Sequence, residues 1–106
     1  MEVAHEMFRQ GGGAAFSMEY DGIERLVVVQ ELERRVREVD AEEAGLAVRR
    51  AVSAAHEIVP REVVFLKAGG LPKTSSGKVQ RRACKQALKK GELQIVGRVS
   101  YVEGAG

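Results

Sequence analysis

The sequence predicts a small α+β domain, in which a three-stranded sheet, made of a β-hairpin plus a third strand, is covered by two main helices. Two β-compatible stretches, residues 14–20 and 23–32, flank an Asp21-Gly22 dipeptide, the pair that supplies the two positive-φ positions of a type I′ hairpin turn. Two other stretches, 41–57 and the one that begins at Lys78, repeat apolar residues at helical spacing. The 106 residues, 44% hydrophobic and 5% aromatic, suffice for one modest core. They are read as a single domain, 1–106, and leave no room for a multidomain enzyme within this chain.

Taken in order, residues 3–8 are long enough to close a short helix before Gly11, Gly12 and Gly13 interrupt any regular pattern. The hairpin follows, and its second arm holds the run LVVV at 26–29. Asp40 with Glu43 resembles a capping box, after which Ala44, Val48, Ala51, Val52 and Ala55 recur along one helical face until Pro60 forbids continuation. The segment EVVFLK at 62–67 has the length and β-branching of the third strand, joined to the hairpin sheet through a β-α-β connection. Gly69-Gly70-Leu71-Pro72 ends it. A polar loop then runs to Gly77, and Val79, Ala83, Ala87 and Leu88 mark the apolar face of a second helix whose other face carries Arg81, Arg82, Lys85 and Lys89. Gly91 is its expected C-cap. The remainder has weak strand character at 93–96 and 98–102, with 97–106 expected to fray. Phe16, Leu26, Val28, Val48, Val52, Val64 and Leu88 are the core candidates.

Composition excludes several classes. No run approaches the roughly 18 apolar residues of a membrane span, and the N-terminus lacks the pattern of a signal peptide, so a cytoplasmic protein is expected. Cys84 alone cannot form an internal disulfide or a multi-cysteine zinc site, and His5 and His56 lie far apart, so no metal centre is expected. Cys84 is read as a packed residue beside the apolar stripe of its helix. The net charge of +2 conceals a division: residues 1–60 hold 7 basic and 12 acidic side chains, whereas residues 61–90 hold 9 basic ones against Glu62. Such a block attracts a polyanion, whether nucleic acid, headgroups or the phosphates of a nucleotide.

The most unusual segment is GGLPKTSSGKVQRR at 69–82. It is not a Walker A loop. That motif needs four residues between its glycines and a Ser or Thr after the lysine; here six separate Gly70 from Gly77, Val79 follows Lys78, and Pro72 lacks an amide donor. What remains is a lysine, Lys78, beside a flexible glycine at the start of a helix, suited to meet an anion in another part of a larger protein.

LPKTSSGK at 71–78, followed by VQRR at 79–82, closely resembles the last core motif of the adenylate-forming superfamily: acyl-CoA synthetases, peptide-synthetase adenylation domains and luciferases. Within it, GGGAAFS at 11–17, ERLVVVQELE at 24–33 and KTSSGKVQRRACKQAL at 73–88 are similar to the fatty acyl-AMP ligases, over roughly residues 3–96. The resemblance implies the small mobile C-terminal domain of such an enzyme, with the large N-terminal adenylation domain and the hinge upstream of Met1. It implies ATP, Mg2+ and a fatty acid as requirements of the intact enzyme, none of them held by this domain alone, and an acyl carrier protein as acceptor. By the same resemblance Lys78 is the catalytic lysine, which touches the substrate carboxylate and the α-phosphate region of ATP. Lys73, Thr74, Ser75, Ser76 and Gly77 form the substrate-binding loop that carries it.

Two alternatives stand beside this reading. One is the same domain of an acyl-CoA synthetase, with coenzyme A as acceptor. The other, from a different class, is a small basic nucleic-acid-binding module. Against the second, the basic block offers Phe65 on a strand but no stacking platform, and no helix-turn-helix or RNA-binding motif accompanies it, so no nucleic acid partner is expected.

Overall fold

A computed structural model describes residues 6–101. Its element order is β1 (Phe8–Tyr20), β2 (Ile23–Leu32), α1 (Ala41–His56), β3 (Glu62–Leu66), α2 (Arg81–Lys90) and β4 (Ile95–Ser100). The class is α+β as predicted, but the sheet has four strands, in the order β1-β2-β3-β4. Of the tail expected to fray from 97, residues 97–100 instead belong to a strand, and residues 102–106 lie outside the described residues. Residues 95–100 pair antiparallel with β3 and alternate half-buried with exposed positions. A strand buried on one side with so few large apolar residues gives only a faint sequence signal.

The hairpin forms as expected, with Asp21 at φ 51° and Gly22 at φ 80°. Its first arm starts earlier than predicted. Phe8 already pairs with Leu32, and the register then shifts between Phe8 and Gly13, so the glycines make an irregularity within β1 and do not end it. The short helix expected over 3–8 is not seen at 6–8, where a turn leads into β1; residues 3–5, with His5, lie outside the described residues, as do 102–106. At this irregularity the two N–H groups of the buried Gln30 Nε2 are shared among the carbonyls of Arg9 and Gly12 on β1 and Glu31 on β2, all within 3.3 Å.

β2 and β3 run parallel, with α1 in the connection between them. Asp40 caps α1 by accepting from the amides of Glu42 and Glu43. Ala44, Val48 and Val52 then face Val28, Val63 and Phe65 on one side of the sheet. Ala55, predicted to share the stripe, is exposed. α2 covers the opposite side, where Cys84 and Leu88 meet Val27, Val29, Val64 and Leu66. With helices on both faces, β2 and β3 can be apolar without alternation, which is why 26–29 reads as an unbroken run. Among the core candidates Val28, Val48, Val52 and Val64 are fully buried and Leu88 nearly so, whereas Phe16 and Leu26 pack at the edges.

The second helix does not begin at Lys78. Residues 78–80 are extended: Lys73 and Val79 form a β-bridge, and the Gln80 amide donates to the Pro72 carbonyl. α2 starts at Arg81, after Gln80. The extended segment gives these amides partners that a free first helical turn would leave bare. Gly91 ends α2 as predicted.

Candidate functional site

The strand-to-helix connection after β3 is a short two-armed tongue. Its arms meet at the bridge of Lys73 with Val79, and its tip is a turn over residues 74–77, closed by the Gly77 amide donating to the Thr74 carbonyl at 2.9 Å. Gly77 then sits at φ 87°, a left-handed conformation that strains any residue with a Cβ, and the Thr74 amide donates to the Lys78 carbonyl at 2.8 Å. The two hydrogen bonds and a glycine in the left-handed region close a three-residue hairpin loop. The Lys78 amide in turn donates to Thr74 Oγ1 at 3.1 Å, and that oxygen lies 3.0 Å from Ser76 Oγ. Ser75, Ser76, Gly77 and Lys78 are exposed. The tongue presents Lys78 at its tip, and among the described residues its ammonium has no hydrogen bond or ion pair.

Lys73 points elsewhere. Its Nζ lies 3.0 Å from Oε1 of Glu31, a carboxylate on β2 that is fully buried. Glu31 Oε2 accepts from the Leu71 amide at 3.0 Å, and Arg9 stands 3.6 Å from Oε1. One buried carboxylate thus ties the root of the tongue to β1 and β2. Gly12 makes room for it, because a Cβ there would sit 2.9 Å from Glu31 Oε1. Glu31 was not among the sequence-predicted site residues. Its parity would have revealed it: it continues the Val27 and Val29 positions onto the face covered by α2.

Arg81, Arg82 and Lys89 lie exposed along α2, while Lys85 is half-buried. The thiol of Cys84 is buried, and loss of solvation pushes its pKa up to about 11. It stays protonated at neutral pH and acts as a small apolar group. Among the described residues no group of three or more His, Cys, Asp or Glu is placed to hold a metal ion. Nor is any described helix long and apolar enough to cross a membrane.

The fold is shared with solved structures. A fatty acid AMP ligase from Legionella pneumophila superposes with a TM-score of 0.73 over 91% of this chain and 17% of its own, at 24% identity, a likeness of fold. The McyG A-PCP structure complexed with phenylalanyl-adenylate gives a TM-score of 0.72 over 82% of this chain and 16% of its own, at 26% identity. No family model matches the chain. The chain is a homologue of one part of the adenylate-forming enzymes.

Within that class it belongs with the fatty acyl-AMP ligases. It is 44% identical over 94 residues to the medium-chain fatty acid–acyl-carrier-protein ligase JamA of Moorena producens, covering 88% of this chain and 16% of that protein. It is 35% identical over 82 residues to the long-chain fatty acid–AMP ligase FadD32 of Mycobacterium marinum, covering 77% of this chain and 13% of that protein. The chain therefore spans about a sixth or less of the curated relatives it matches.

Proposed function

We propose that this chain is the mobile C-terminal domain of a cytoplasmic fatty acyl-AMP ligase, which activates a fatty acid with ATP to the acyl-adenylate and passes the acyl group to an acyl carrier protein. The observation that carries the proposal is the ammonium of Lys78, unpaired among the described residues and held at the tip of a hydrogen-bonded tongue. A group so presented meets its target on another body, here the large N-terminal adenylation domain with its ATP and fatty acid. The Mg2+ that accompanies ATP is assigned, on this reading, to that large domain.

The chemistry asks for such a cation. A carboxylate oxygen attacks the α-phosphorus and pyrophosphate leaves, so two anions approach while charge grows on the phosphoryl oxygens. A lysine that reaches the carboxylate and the α-phosphate oxygens stabilises this arrangement more than the separated reactants. A compact ammonium on a flexible stem bridges unlike oxygens without the planar fork of arginine. Thr74, Ser75, Ser76 and Gly77 keep the tip narrow, and Lys73 with the buried Glu31 holds its root. After adenylation the domain rotates and withdraws the lysine.

The name of JamA, the 44% relative, favours a carrier protein as acceptor. The alternative, coenzyme A, is favoured by a 29% identical relative from Mycobacterium tuberculosis described as a putative fatty-acid–CoA ligase.

The test is Lys78→Ala in the intact enzyme, with the two half-reactions measured separately. Loss of a preorganised charge-stabilising donor costs roughly 3 to 4 kcal/mol, about 10² to 10³ in the rate of adenylation. Transfer from supplied acyl-adenylate is expected to fall far less, because the lysine has left by then. Equal losses would reduce Lys78 to a support of the fold, and unchanged adenylation would remove it from the chemistry.

A further inference from the structure

We propose that the crevice at the carboxyl ends of β2 and β3 is a second binding site, which takes an organic phosphate: a phosphate group joined to a short apolar arm. These two strands are adjacent and parallel, yet the chain leaves them toward opposite faces of the sheet. Residues 33–40 lead from β2 to α1 on one face, and residues 67–80 lead from β3 to α2 on the other. Connections that part in this way open a crevice between them, the place where open α/β sheets hold ligands. Here it has a volume of about 530 Å³, within the range of small-molecule sites.

Its lining is cationic. Arg34 and Arg37 come from one connection and Lys67 from the other, facing the single carboxylate of Glu33. None of the three cations has a side-chain hydrogen bond or ion pair among the described residues. Their neighbour Arg35, outside the lining, donates to the Glu6 carbonyl at 2.6 Å, so the segment distinguishes an engaged arginine from two unengaged ones. The walls are fixed beforehand. Glu33 donates its amide to Met7, Val36 to Glu33 and Lys67 to Gln94, at 2.9, 3.0 and 3.3 Å.

Arg34, Arg37 and Lys67 are exposed at the edge of this open crevice, where their like charges add to a positive potential that attracts an anion. Arg34 and Arg37 stand out in a segment, 1–60, whose net charge is −5, and Lys67 comes from the basic block that follows it. Guanidinium groups match phosphate oxygens in pairs, and the lysine adds a point charge. Val36 and the exposed Val96 line the same crevice and offer the apolar contact. The cations of α2 line a helix face and are not among the residues that line this crevice. The site is independent of the role given to Lys78, which sits on the tongue and not in the lining.

The test is titration of the isotope-labelled 106-residue chain with phenyl phosphate and with inorganic phosphate, followed by amide NMR shifts. Saturable shifts at Arg34, Arg37, Lys67 and Val96 are expected, with phenyl phosphate the tighter ligand. Arg34→Gln with Arg37→Gln should weaken binding by about a hundredfold, each lost charge-assisted contact being worth about tenfold or more. Lys85→Gln with Lys89→Gln should leave it unchanged. Lys67→Gln, on the other wall, should weaken binding too, and it keeps the test decisive if the double arginine variant folds poorly. No saturable shift, shifts confined to α2, or indifference to Lys67→Gln would overturn the site. Equal affinity for the two probes would overturn the organic arm.

Discussion

Glu31 shows how one residue can set the position of a loop that it does not belong to. Its carboxylate is fully buried and bound by the Leu71 amide and Lys73, with Arg9 close by. Removing one partner of a buried ion pair costs about 3 to 5 kcal/mol. The side chains of Lys73 and Arg9 remain 24% and 37% exposed, so they can turn to water, and the cost is smaller here. Glu31→Ala is expected to lower stability in urea by about 2 to 3 kcal/mol, and Glu31→Gln by less, since an amide oxygen still accepts from Leu71. A loss within about 0.5 kcal/mol, the usual range of surface changes, would show that the carboxylate is not the anchor. Glu62, a second buried carboxylate, accepts from Tyr20 and pairs with Arg98, which joins β4 to β3 at the side-chain level.

At the scale of elements, the tongue stands between a strand and a free loop. Its polar residues bury little, which predicts fast exchange, but the amides of Thr74, Gly77 and Lys78 all have acceptors inside it. Hydrogen exchange is therefore expected in three grades. Residues 63–66 at the sheet centre should be the slowest, the three bonded tongue amides intermediate, and exposed Ser75 and Ser76 the fastest. Protection of residues 69–78 equal to that of 63–66 would contradict a tongue that yields to a partner. The same hydrogen bonds explain why Lys78 escaped its predicted place on a helix. The helical spacing of Val79 with Ala83 does not reveal the bridge between Lys73 and Val79, which shifts the start of α2 to Arg81.

For the whole molecule, a sheet with a helix on each face buries the centre of β2 and β3 completely but leaves Lys78 and the phosphate crevice on the outside. On the proposed reading the chain holds part of an active site, so alone it should fold yet show no fatty-acid-dependent ATP–pyrophosphate exchange. Robust exchange by the 106-residue chain would sink that reading. The sequence by itself determined the local features: the Asp21-Gly22 turn, the Asp40 cap, the extent of α1 and the motif around Lys78, because each depends on neighbours within a few residues. The tertiary structure alone decided the rest. β4 depends on the free edge of β3, the position of Lys73 depends on a carboxylate 42 residues away, and the crevice depends on two connections leaving parallel strands toward opposite faces. Contacts between residues distant in sequence leave no periodic trace in it, and only the packed sheet brings them together.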